Sequence, residues 1–156
     1  MTNRAISAPS NLQAYLPLLR GVSRSFYLSI RLLPQAVRAP IAVGYLLARA
    51  TDTVADTTAL PQAERLDLLN KLFAAIESPT GDLSASAKQM TEFAQQQTDP
   101  HEQALMRALP QCLHLLQGLS NADQASVRWV LGPITQGQLL DVTRFGQGMQ
   151  GLHTEQ

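Results

Sequence analysis

The sequence predicts an all-helical protein, and three observations carry that reading. Leu and Ala dominate the 156 residues, aromatic residues make up only 5%, and no segment sustains a period-two alternation over β-branched positions. Apolar residues instead recur at helical spacing, as in Leu66, Leu69, Leu72 and Phe73. Proline, glycine and serine clusters cut the chain into helix-sized pieces. A hydrophobic content of 45% is enough for a buried core and excludes wholesale disorder.

Each element has a local reason. A first helix follows Ser10, whose hydroxyl can cap it, and ends at Gly21. Val22 to Leu33 forms a second segment, stopped by Pro34. A long helix starts at Pro34 or Pro40 and runs to Asp56; proline suits a first helical turn, so Pro40 marks either a start near Ala39 or a kink. Pro61 opens a helix through Ile76, and Ser78-Pro79-Thr80-Gly81 is a turn. Helical patterns resume over Leu83–Gln97, over Pro100–Gly118, and over Ala122–Phe145, the last with a kink expected at Gly132-Pro133. The glycine-bearing stretch from Gly146 to Gly151 reads as flexible.

Composition narrows the function. The formal charge is zero, with 12 basic and 12 acidic side chains, which argues against a nucleic-acid binder. A single cysteine rules out a disulfide framework or a multi-cysteine metal cage. The longest apolar run, Ile41 to Ala48, is too short to span a bilayer, and the N-terminal residues lack the apolar block and cleavage site of a signal peptide. A cytoplasmic domain is expected, with peripheral membrane association open. Leu12, Leu16 and Leu19 form a small apolar face that suits packing within the chain better than a membrane. The zero charge also conceals an asymmetry. Met1 to Thr51 holds six arginines and no acid (+6), whereas the remainder holds twelve acids against six basic residues (−6). Such a split directs attention to an anionic ligand.

The switch of sign falls at Asp52, inside the most informative segment. At about 100° per residue, Tyr45, Arg49, Asp52 and Asp56 fall on one helical stripe roughly 60° wide. Val43, Leu46, Leu47, Ala50 and Val54 take the other face, as a core-packing surface does. Two carboxylates one turn apart suit Mg²⁺, which is held by one or two carboxylates together with substrate phosphates. Arg49 adds a fixed positive charge for a diphosphate. On spacing alone the same pair also reads as a solvated helix face. Upstream, Ser23, Arg24 and Ser25 offer two hydroxyls and a guanidinium to phosphate oxygens, although either serine serves equally as a helix N-cap.

These residues resemble a known family. Ser23-Arg-Ser-Phe-Tyr-Leu, Leu33-Pro34, Arg38 and Tyr45-Leu-Leu-Ala-Arg49-Ala-Thr-Asp52-Thr-Val-Ala-Asp56-Thr57 are similar to the Ser-x-Ser-Phe segment and first aspartate-rich motif of squalene/phytoene synthases, in order and at the right separation. Ile134-Thr-Gln-Gly-Gln-Leu-Leu-Asp141, with Arg144-Phe145, is a fainter echo of the family's Gly-x-x-x-Asp-Leu helix. The wording around Tyr27 to Arg31 and Arg49 to Asp52 is nearer to bacterial squalene synthases. The resemblance implies an all-α isoprenoid-synthase (terpenoid synthase) fold and head-to-head condensation of two farnesyl diphosphates through a cyclopropylcarbinyl diphosphate. It implies Mg²⁺ at Asp52 and Asp56, a diphosphate among Ser23, Arg24, Ser25, Tyr45 and Arg49, and NADPH in the squalene branch. Phe26 would help wall off water from cationic intermediates, and Asp141 reads either as a cavity residue or as an ordinary helical acid.

The sequence also departs from the family pattern. No second Asp-x-x-x-Asp follows Asp56, and family members are about twice this length. The expectation is therefore a single incomplete domain, residues 1–156, corresponding to the N-terminal half of a synthase bundle, inactive alone and inclined to self-associate through uncovered apolar faces. Squalene, dehydrosqualene and phytoene remain alternative products, and a non-catalytic helical interaction module is the rival from another class. Cys112 and His114 lie two residues apart on one expected helix, facing different ways, which argues against a metal site there. Trp129 and Arg128 are expected to pack or snorkel at a surface.

Overall fold

The computed structural model describes residues 16–78, 80 and 83–155, with side chains as far as Arg144. The expected Ser10 cap and Leu12 lie outside the described residues. The described residues form eight α-helices in order: α1 (Leu16–Val22), α2 (Arg24–Ile30), α3 (Gln35–Asp56), α4 (Gln62–Glu77), α5 (Ala87–Gln95), α6 (Pro100–Arg107), α7 (Leu109–Gln117) and α8 (Asn121–Glu155). A short 3₁₀ turn, Ser84–Ser86, precedes α5. The described residues contain no strand.

The helix α3 is the centre of the bundle, because its apolar face is buried from Ala42 to Val54, whereas Val37 and Ile41 before it are exposed. Ala42, Val43, Leu46, Leu47, Ala50 and Val54 are all within 1% of complete burial. They pack against α8, α4, α7 and α6, and α2 closes over the N-terminal end. Two contacts fix the direction of α8: Gly44 faces Val127, and further along Asp52 meets Gln138, so α3 and α8 run parallel. Helix α4 runs antiparallel to α8. Gln62 at its start donates to the carbonyls of Val142 and Thr143, whereas Arg128 donates to Ile76 and Ser78 at its end. Arg128 thus satisfies carbonyls at the end of α4 that have no partner within the helix. Its neighbour Trp129 stays 80% exposed.

Both internal prolines are tolerated for the same reason. Pro40 lies inside α3, which starts at Gln35 after Pro34, and Pro133 lies inside α8. Each removes one backbone bond, to Ala36 and to Trp129 respectively, and both of those residues are exposed, so water can take the place of the missing donor. Pro34 is therefore the boundary and Pro40 is not.

Three expectations are corrected. The stretch expected as one helix from Pro100 to Gly118 breaks at Ala108, because Pro110 has no N–H to offer the Met106 carbonyl and the chain restarts as α7. The segment expected as helix from Leu83 begins as a 3₁₀ turn and becomes α-helical only at Ala87. The stretch from Gly146 to Gly151 is helical as part of α8, which continues to Glu155. Each glycine costs about 1 kcal/mol relative to alanine, but no proline follows Pro133 to force a stop. Of the apolar face expected at Leu12, Leu16 and Leu19, Leu19 is fully buried within the chain and Leu16 is partly buried. Among the described residues, no helix is long and apolar enough to cross a membrane.

Candidate active site

The polar stripe of α3 is intact. Its first member, Tyr45, is half-buried and stacks on Phe26 of α2, with ring centroids 4.0 Å apart and planes 14° from parallel. This contact pins α2 against α3, so Phe26 forms a wall beside the stripe. The local fold of α2 depends on Ser23, whose hydroxyl accepts from the Phe26 backbone N–H at 3.2 Å. Ser23 is therefore a helix cap in this structure, the alternative that its sequence left open. Ser25 is exposed. Arg24 is also exposed and borders a separate cleft of about 380 Å³ with Pro17, Arg20, Gly21, Tyr27 and His101.

One turn beyond Tyr45, Arg49 is held by a residue that nothing in the linear motif indicates. Its Nη2 donates to Glu102 of α6 at 2.8 Å. The Thr53 hydroxyl, whose single proton is shared between two acceptors, lies within hydrogen-bond reach of both Glu102 Oε1 and the Arg49 carbonyl, the latter at 3.0 Å. Burial disfavours the charged guanidinium, but Glu102, by charge and hydrogen bond, outweighs it, with Tyr45 and Asp52 assisting, and the Arg49 pKa is raised. Arg49 is thus a fixed, permanently charged group.

Asp52 and Asp56 are both exposed, and among the described residues neither forms an ion pair. Asp52 Oδ1 accepts from Gln138 Nε2 at 2.9 Å, which ties the first carboxylate to α8. Although the residue is exposed, partial desolvation of the Asp56 carboxyl by its surroundings, and then the negative charge of Asp52, push it up from its ordinary range, against the opposing pull of Arg49 and Arg65. Arg65 reaches this end of α3 by donating to the Ala55 carbonyl at 3.0 Å. Three buried polar atoms nearby, Arg49 Nε, Arg65 Nε and Gln138 Oε1, have no hydrogen-bond partner. The site therefore has an excess of unpaired negative charge and spare polar atoms beside it, which suits a hydrated divalent cation and its anionic ligand.

Asp141 is exposed on α8, one turn beyond Gln138. It does not complete a metal cage, for among the described residues no three His, Cys, Asp or Glu side chains cluster. Cys112 is fully buried, its thiol pushed up to about 12 by burial, and His114 is exposed, so the two do not form a ligand pair.

The profile of squalene/phytoene synthases matches residues 19–144, which takes in the stripe, Glu102 and Gln138. The chain belongs to the squalene/phytoene synthase family. It is 52% identical over 52 residues to "Squalene synthase LSS" of Botryococcus braunii, covering 33% of this chain and 11% of that protein. It is 35% identical over 71 residues to "Squalene synthase" of Schizosaccharomyces pombe, covering 46% of this chain and 15% of that protein. The matched parts thus span well under two thirds of these relatives' own lengths. No solved structure matches significantly. As a family member, the chain has the all-α isoprenoid-synthase fold, and its described helices agree with that assignment.

Proposed function

We propose that this chain carries the first carboxylate wall of a prenyltransferase that joins two farnesyl diphosphates head-to-head, with squalene as the favoured product. The observation that carries the proposal is the α3 stripe, where an unpaired Asp52–Asp56 pair stands one turn from an arginine already fixed by Glu102. Family membership supports the reaction class, and the names of the relatives support the squalene branch over dehydrosqualene or phytoene.

Asp52 and Asp56 are the residues that would hold Mg²⁺, and when bound it would supply positive charge to a departing diphosphate. Arg49 contributes a second fixed positive charge without reorganising, because Glu102 and Thr53 have already set its position. Gln138 holds Asp52 in place from α8. The stacked Phe26 and Tyr45 rings present an apolar wall that excludes water from a carbocation. For NADPH, the described residues supply no donor set that singles it out.

A second reading, a non-catalytic helical module, is favoured by one observation: two carboxylates stand without a third ligand among the described residues. The two readings separate in a thermal-shift experiment with inorganic diphosphate and Mg²⁺. Stabilisation that requires both, and that Asp52→Ala or Asp56→Ala removes, supports the prenyl-diphosphate site. The same stabilisation in both variants would sink it.

A further inference from the structure

The helix α2 and the corner that follows it carry a surface that the α3 stripe does not use. Ile30 is buried, at 2% exposure, and anchors one side of α2, while Leu28 is 52% exposed and Leu32 is 87% exposed on the outside. Arg24, Leu28 and Arg31 follow one another at i, i+4 and i+7, so they share a face. Arg20 of α1 and Arg31 flank the Tyr27 ring, with guanidinium carbons 6.0 and 5.8 Å from its centroid. The two exposed leucines are therefore bordered by arginines, and no acid occurs anywhere from Met1 to Thr51. The corner itself is rigid: Arg38 donates to the Leu33 carbonyl at 2.8 Å and to the Arg31 carbonyl at 3.0 Å. Leu32 is consequently presented on a fixed turn, with little ordering entropy left to lose on docking.

From this arrangement we infer that the α2 corner is a docking surface for an anionic lipid bilayer. The exposed leucines can enter the acyl boundary while neighbouring arginines reach anionic headgroups and Tyr27 takes the interfacial level. Apolar insertion and basic attraction reinforce each other, because neither signal alone gives stable attachment. A symmetric contact with a second copy fits less well, since it would set this acid-free arginine patch against itself. The inference is independent of the metal stripe, which lies on α3, and stands or falls separately from it.

The test is co-sedimentation of the full chain with vesicles of phosphatidylcholine alone, or with roughly one third phosphatidylserine. The expected result is binding to the anionic vesicles only, weakening as salt is raised. Arg20→Gln and Arg31→Gln should each reduce it about fivefold, and Leu28→Ser with Leu32→Ser about tenfold or more. These positions are exposed, so circular dichroism should show unchanged helix content. Equal, salt-insensitive binding to both vesicle types would overturn the inference, as would unaltered binding by the arginine variants. It would equally fail if sedimentation velocity without lipid showed self-association that Leu32→Ser abolishes, because the patch would then belong to a second copy.

Discussion

Arg49 of α3 donates to Glu102 of α6 across 2.8 Å, and that bond joins the proposed diphosphate-facing stripe to a neighbouring helix of the bundle. Glu102 is only 13% exposed, so removing its partners leaves a largely desolvated carboxylate, whereas Arg49 at 37% keeps solvent contact. Loss of the acid should therefore cost less than loss of the base. We expect Arg49→Ala to lower stability by about 2–3 kcal/mol and Glu102→Ala by about 1–2 kcal/mol. Urea unfolding of both single variants and the double variant measures the coupling; additive losses would show that the pair is not coupled.

The carboxylate pair should behave in the opposite way. Like charges at i, i+4 destabilise a helix by about 0.2–0.5 kcal/mol, and partial desolvation adds to the penalty at Asp56. In the presence of a chelator, Asp56→Asn should accordingly raise the urea midpoint slightly. The same substitution should remove any stabilisation produced by Mg²⁺. A variant less stable than the parent without metal would mean that Asp56 serves the fold and not a cation.

How much of this was legible beforehand depends on the range of the interaction. Tyr45, Arg49, Asp52 and Asp56 lie within one helix, whose 3.6-residue period places them on a common stripe without reference to anything else. The parts that escaped are those set by helix crossings. Glu102 lies 53 positions from Arg49, and Gln138 lies 86 from Asp52. No periodicity within either segment marks them as partners. Ser23 illustrates a different limit, because a hydroxyl ahead of a helix serves a phosphate or a backbone N–H equally well until the fold shows that Phe26 N–H takes it. The helical course from Gly146 to Gly151 leaves no mark in the sequence, because glycine lowers helix propensity without forbidding it.

Arg128 offers a test of the α4–α8 contact. Its guanidinium donates to Ile76 at 2.7 Å, to Ser78 at 3.3 Å and to Gln124 at 3.1 Å. Arg128→Ala should cost about 1–3 kcal/mol through the exposed ends of those bonds and lost stem packing. Arg128→Lys should recover little, because a single ammonium cannot reproduce the planar fork that spans three acceptors. Guanidinium denaturation of the two variants decides this; full rescue by lysine would show that charge alone matters.

Gly21 and His101 make a sharper contact. A Cβ built at Gly21 would lie 2.5 Å from His101 Nδ1, closer than any packed pair tolerates. Gly21→Ala must therefore displace the imidazole, although the ring can turn away toward the adjoining cleft. The expected loss is about 1 kcal/mol. It should vanish, or become a small gain, in a His101→Ala background, where alanine's helix propensity is no longer opposed. An equal loss in both backgrounds would place the strain in the α1 backbone.

Cys112 predicts a pH dependence. The thiol is fully buried, and burial moves it from 9.0 to about 12, so the folded protein keeps its proton where the unfolded chain loses it. Above pH 9.0 the unfolded state therefore binds fewer protons, and folding stability must fall as pH rises toward about 12. The limiting slope for one such group is about 1.4 kcal/mol per pH unit. Cys112→Ala costs some packing at every pH but removes this slope, so the stability difference between parent and variant should shrink steadily under alkaline conditions. Parallel unfolding curves through that range would show that the thiol ionises in the folded state. Labelling supplies an independent check. At mildly alkaline pH a disulfide-exchange reagent should modify Cys112 only as fast as the bundle opens, since the reactive thiolate is absent from the folded form.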